Sequence, residues 1–232
     1  MARRNIACVA NYESSTGYAW PMIEEGFFVG INRAIRDRRT FAVYPKVDRM
    51  KPAVATAMLG TELPLPVGRI LSKPLRLAGW CWRNDIHTLY LTDQPYYSWV
   101  YAFLRLTGVQ RIVIHDHMPG SRSPAKGLLR VLKGWLARSP LSADHYIGCS
   151  RAILERFTTT CRIPASKQAL AENGIDMARF DTPATLRSEL GIPDDAFVVI
   201  IAAANQGTHP PRKAWAHMYF ALSVFLTEHP DA

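Results

Sequence analysis

The sequence predicts an α/β protein, a Rossmann-like parallel sheet domain followed by an incomplete second Rossmann-like domain. Three observations carry this. Strand and helix signals alternate along the chain, the pattern of a parallel sheet with covering helices. A polar stretch near 181–190 with Pro183, and the turn sequence GIPDD behind it, suit a linker. An apolar run from Phe197 to Ala204 then opens a new strand, and a single helix follows it. One such unit cannot bury its faces or pair its backbone unaided. The expected organisation is a first domain over 1–182 and, over 183–232, a linker with the first βα unit of a truncated second domain. The chain is expected to be a fragment of a longer protein or, as the alternative, to be completed by a partner chain.

The elements follow in order. Asn5 to Ala10 (NIACVA) reads as the first strand, with a polar loop over Asn11–Gly17. Pro21 suits a helix start, and Ile23, Phe27, Ile31 and Ile35 recur every four residues on one face. Phe41–Tyr44 is a short second strand. Residues 45–85, rich in proline and glycine, are the least legible part and are expected to hold a helical piece. Thr88–Leu91 resumes the sheet, and Pro95–Leu106 reads as a helix with aromatic residues inward. Arg111–Ile114 is a strand ending at His115-Asp116-His117. A helix near 125–138 follows, then a strand over His145–Gly148, with Ser150 as the expected N-cap of a helix over Arg151–Phe157. Leu186–Leu190 suits a short helix. After Pro211 a last helix would turn Trp215, Met218, Tyr219, Leu222 and Phe225 to one side.

At 232 residues and 48% hydrophobic content the chain can build a substantial core, and no segment has a disordered composition. The longest apolar runs, such as VVIIAAA at 198–204, fall far short of the roughly 18 residues of a membrane span. Charge at Arg3 and Arg4 precedes an apolar run too short for a secretory signal. The expected location is cytoplasmic, with peripheral contact on the inner face of the membrane as a variant. Four cysteines, Cys8, Cys81, Cys149 and Cys161, stand apart without a CxxC pair. Cys8 and Cys149 fall in predicted strands as buried thiols, with no disulfide framework and no zinc site expected. A net charge of +9 favours anionic partners. The basic residues are spread along the chain and no nucleic-acid module is present, so nucleic acid is not expected as a partner.

From Ala143 onward the chain resembles the glycosyltransferases of family four, retaining two-domain sugar transferases of the GT-B fold. Their linker reads ADxVIxxS…L…NGVDxxxF and then R…LGIPxDxFVVxxVGR…KG. Ala143-Asp144, Ser150, Asn173-Gly174-Ile175-Asp176, Phe180 and Leu190-Gly191-Ile192-Pro193 hold those places. The match is good over 141–232 and runs only in outline before that. It implies an acceptor-side first domain and a donor-side second domain facing each other across a cleft. The substrates would be a nucleotide-sugar donor and a glycan, lipid or small-molecule acceptor. The family's paired-glutamate segment would lie beyond Ala232, so the 232-residue chain alone is expected to be inactive or nearly so.

The resemblance also distributes roles. Lys213 stands at the family's KG lysine, and Arg212 beside it offers a fork for the diphosphate. Asn205 stands where many members have arginine, and Ala214 where they have glycine. Gly17 matches the glycine loop that approaches the donor, although the second glycine is missing. His115 matches the histidine of an HD pattern that orients the donor sugar. In the same reading Ser15, Tyr18, Asp93, Tyr96 and His117 line the acceptor side. With no DxD motif, cationic side chains and helix N-termini would stabilise the leaving diphosphate, and no cofactor or metal is required.

Two rival readings follow from the residues themselves. His115 and His117 project from one side of their strand, a spacing that also suits metal ligands in a metal-dependent hydrolase. A non-catalytic acceptor-binding subunit is the other. In the segment PAKGLLRVLKGWLARS, Leu128, Leu129, Leu132, Trp135 and Leu136 share one helix face, and Lys126, Arg130 and Lys133 share the other. Such a helix can rest on an anionic membrane. A helix covering the sheet with its apolar face, its basic face solvated, is the preferred expectation.

Overall fold

The computed structural model describes residues 5–15, 24–50, 52–65, 69–118, 123–174, 187–193, 195, 196, 198, 220–225 and 227. The chain divides into two compact units, Met1–Ile175 and Asp176–Ala232.

Among the described residues the first unit has seven parallel strands: β1 (Asn5–Val9), β2 (Thr40–Tyr44), β3 (Leu59–Glu62), β4 (Ile86–Thr92), β5 (Arg111–Asp116), β6 (His145–Gly148) and β7 (Gln168–Leu170). Their spatial order is β3-β2-β1-β4-β5-β6-β7, and every pairing is parallel. The helices are α1 (Val29–Ala34, entered through a π-helical turn Glu24–Phe28), α2 (Pro52–Ala57), α3 (Pro74–Arg83), α4 (Trp99–Leu106), α5 (Gly127–Leu136) and α6 (Arg151–Thr159). This is the Rossmann-like parallel sheet that the alternating signals predicted.

Right-handed crossovers decide which helix covers which face. Strands β1 to β3 step one way across the sheet and β3 to β7 step back, so α1 and α2 cover one face while α3 to α6 cover the other. The core divides accordingly. Ala7 and Val9 of β1, Leu89 and Leu91 of β4, and Ile112 and Ile114 of β5 pack with Leu77, Tyr101, Leu104 and Phe157 on the α3–α6 face. Ile6, Cys8 and Tyr90 point the other way and pack with Phe28, Val29 and Val54. Burial of each large apolar side chain contributes about 1.5–3 kcal/mol, and alternation along the strands supplies both faces at once.

Local chemistry fixes several ends. Pro74 occupies the first turn of α3. Ser98 caps α4, its hydroxyl accepting from the Val100 amide at 3.2 Å. Ser150 stands at the N-cap of α6 but makes no side-chain cap bond; there its carbonyl accepts from Ile153 and Leu154 instead. Gly148 ends β6 where α6 comes close, and a Cβ there would meet the Ile153 side chain at 2.9 Å. Asp144 of the linker motif is structural. Its carboxylate accepts from the Ile112 amide at 2.8 Å and from Arg105 at 2.9 Å, which ties the start of β5 to α4.

Three expectations need correction. The proline-rich stretch 45–85 holds α2, α3 and strand β3, and β7 also escaped the sequence reading. Both strands lie at sheet edges and bury little (β3 has no fully buried residue), so they lack an apolar run. Cys149 lies just past β6 and is half-buried, whereas Cys8 is fully buried. The largest correction concerns α5, which buries none of its residues. Leu128 is 84% exposed, Val131 67% and Trp135 62%. Of its basic residues Lys133 reaches the body, donating to the Thr160 carbonyl at 2.9 Å just past α6, while Arg130 is exposed. The face between β5 and β6 is already filled from α4 and α6 by Tyr101, Leu104, Ile153 and Phe157.

In the second unit, Arg187–Leu190 forms a 3-10 turn closed by Gly191 in the left-handed region, with the Ile192 amide donating to the Arg187 carbonyl. Residues 220–225 are helical, with Leu222 half-buried. The strand predicted over Phe197–Ala204 lies, apart from Val198, outside the described residues, as do Pro211, Trp215, Met218 and Tyr219.

Candidate active site

The order of strands reverses between β1 and β4, the place where open parallel sheets hold ligands beyond their carboxyl ends. Beside this switch point, β4 ends in Thr92-Asp93 and β5 in His115-Asp116-His117. Alternation sends successive side chains of β5 to opposite faces.

His115 and His117 rise on the α1 side, their ring centroids 3.9 Å apart. The ring of Phe27 meets His115 edge-on at 4.5 Å and lies 6.1 Å from His117. The Nδ1 atom of His115 is hydrogen-bonded to the Tyr90 hydroxyl. With the phenol donating, the ring proton of His115 sits on Nε2. Burial, reinforced by His117 and partly offset by the Ala171 backbone, lowers His115 to about 3. Burial lowers His117 to about 4, with Asp116 opposing. At neutral pH both rings are uncharged, so they can orient a ligand by hydrogen bonding and cannot act as cations.

Asp116 points to the opposite face and is fully enclosed. It accepts from Arg156 of α6 at 2.6 Å, from the Tyr96 hydroxyl, and from the Met118 amide at 2.8 Å. The Arg156–Asp116 pair is buried on both sides, and Arg156 also donates to the Met118 carbonyl at 3.1 Å. The guanidinium therefore grips the strand end from below while the histidines stand above it. The Arg156 pKa is raised, chiefly by Asp116 working against burial.

Asp93 closes the arrangement from β4. Its backbone lies in the left-handed region at φ 51°, which aspartate tolerates better than most residues. From there its carboxylate accepts from the His117 amide at 2.7 Å and lies 3.9 Å from His117 Nδ1. Burial raises it to about 6, the His117 amide and Arg156 pulling it down and Asp116 pushing it up.

The structure thus brings together His115, His117 and Asp93 of the predicted set. Tyr96 joins them as a support: it is buried, and its hydroxyl is engaged on Asp116. Its carbonyl accepts from the Tyr146 hydroxyl at 2.6 Å. Ser15 is exposed in the turn after β1, and the buried serine there is Ser14, which accepts from the Asp48 amide at 2.9 Å. Gly17, Tyr18, Asn205, Arg212 and Lys213 lie outside the described residues. Sequence reading missed Arg156, Tyr90 and Phe27. For Arg156 a signal existed: Ile153, Arg156 and Phe157 share the inward face of α6 at helical spacing, and a cation among core positions calls for a buried partner.

A hydrolytic metal site would need a third ligand beside the two histidines. Among the described residues no three His, Cys, Asp or Glu side chains are placed to hold one ion, and His115 Nδ1 is engaged by Tyr90.

In fold the chain is similar to the crystal structure of a glycosyltransferase from Rickettsia africae ESF-5. The TM-score is 0.55 at 13% identity, over 84% of this chain and 51% of that one. It also matches the apo form of the lipopolysaccharide outer core galactosyltransferase WaaB, with a TM-score of 0.45 and 12% identity over 75% of this chain and 46% of that one. The chain spans about half the length of the structures it matches. No protein-family model and no curated protein matches it. The first likeness speaks for the fold, a Rossmann-like α/β unit shared with a glycosyltransferase.

Proposed function

We propose that the chain is the acceptor-side domain, with the start of the donor-side domain, of a nucleotide-sugar-dependent glycosyltransferase of the retaining GT-B kind that family four represents. The observation that carries this reading is the convergence of His115, His117 and Asp93 beside the strand-order switch. Two uncharged imidazoles and a partly buried carboxylate suit a polyhydroxylated ligand, which offers hydroxyl donors and acceptors and no charge. His115 orients the donor sugar through Nε2. His117 and Asp93, with Ser15 and Tyr18 of the first loop, hold the acceptor. Gly17, Asn205, Arg212 and Lys213 receive the diphosphate, whose departing charge Arg212 and Lys213 neutralise without a metal. The acceptor is a glycan, a lipid or a small molecule, and a lipid-borne one would bring peripheral contact with the inner face of a membrane. The isolated chain is expected to transfer little.

The test is transfer of labelled sugar from a panel of nucleotide sugars, assayed with the complete gene product. His115→Ala should lower the rate about a hundred-fold with the circular dichroism spectrum unchanged. A rate equal to the parent's, or no transfer from any donor in the panel, overturns the reading.

A further inference from the structure

We propose that the outward face of the helical layer formed by α3, α4 and α5 docks on an anionic lipid bilayer. This rests on the peripheral contact named above and is independent of the transfer chemistry. Helix α5 leaves its apolar side chains in solvent. Its apolar residues, led by Leu128, Val131 and Trp135, face away from the sheet, and its Lys133 reaches inward. The same layer exposes Trp82 on α3 and Trp99 on α4. Between these two helices runs an open groove lined by Leu75, Gly79, Phe103 and Leu106. Large apolar side chains left exposed on this scale mark an interaction site.

Charge selects the occupant. Helices α3, α4 and α5 contain no aspartate or glutamate, and between Asp116 and Asp144 the sequence carries Arg122, Lys126, Arg130, Lys133 and Arg138 with no carboxylate. Exposed Lys126, Arg130 and Arg138 border the apolar arc of α5. A second copy of the chain would set these cations against their own equivalents across a two-fold axis. An anionic headgroup layer accepts them, while tryptophan rings favour the interfacial depth where ring carbons are buried and the indole N–H stays wet. Among the described residues no helix is long and apolar enough to cross a membrane, so the layer lies on the surface.

The experiment is co-sedimentation of the chain with vesicles of phosphatidylcholine containing phosphatidylglycerol, and with vesicles of phosphatidylcholine alone, read together with tryptophan emission. Association with the anionic vesicles alone is expected, with a blue shift and a fall in binding as salt rises. The double variant Leu128→Gln/Trp135→Gln should weaken association about ten-fold or more. Lys126→Glu/Arg130→Glu should abolish the preference for phosphatidylglycerol. Both pairs are exposed, and unchanged urea midpoints check that the fold is kept. Equal association with both vesicle types, association undiminished in either variant, or none with anionic vesicles overturns the proposal. So does a dimer in solution that Leu128→Gln/Trp135→Gln dissolves, which would assign the face to a second copy. No nucleotide sugar enters the measurement, so its failure leaves the transferase reading to its own assay.

Discussion

Helices α5 and α6 are consecutive, similar in length and amphipathic, yet they end in opposite situations. Helix α6 buries Ile153, Arg156 and Phe157 and through Arg156 holds the end of β5. Helix α5 buries nothing and leaves Leu128, Val131 and Trp135 in solvent. An apolar stripe states what a helix face needs; the neighbours decide where the need is met. Here α4 and α6 fill the sheet surface first, and the stripe of α5 is left for something else.

The comparison breaks most visibly under truncation. Arg156→Ala leaves Asp116 buried without its counter-ion and should destabilise the chain by about 3–5 kcal/mol in urea unfolding. If the loss is no larger than for a surface residue, the clamp at the strand end is not structural. Leu128 on α5, a large residue of the opposite situation, provides the control.

A second difference is pH dependence, which belongs to the site and not to α5. His115 and His117 are depressed from 6.5 to about 3 and about 4. An unfolded chain takes up protons below 6.5 that the folded chain refuses, so stability falls as pH drops from there towards 4. Asp93, raised from 3.8 to about 6, works the other way: its ionisation costs stability as pH rises between those values. Asp93→Asn is expected to stabilise the chain at neutral pH by about 1–3 kcal/mol, a gain that fades towards pH 3.8. Urea melts at the two pH values check this, and a gain that persists in acid would place the cause elsewhere than in the carboxylate charge.

The smallest expected effect sits on α5. Leu128→Gln should change folding stability by no more than about 0.5 kcal/mol, because the side chain is already in solvent. A loss comparable to a core truncation would mean that the outward face is covered within the chain.

The sequence by itself determined the parallel α/β architecture and the strand end bearing His115 and His117. Alternating apolar runs such as NIACV and RIVIHD are local signals, and the two-residue repeat of a strand puts both histidines on one side without knowledge of the rest. It was silent on the edge strands β3 and β7, whose exposed residues carry no apolar run. It also left out the pairing of Arg156 with Asp116, forty residues apart, and of Tyr90 with His115, twenty-five apart. Only the tertiary structure decided these, along with the outward turn of α5. A helix stripe fixes a direction relative to its own axis, and the choice between sheet and solvent depends on whether other chain segments have already taken the space.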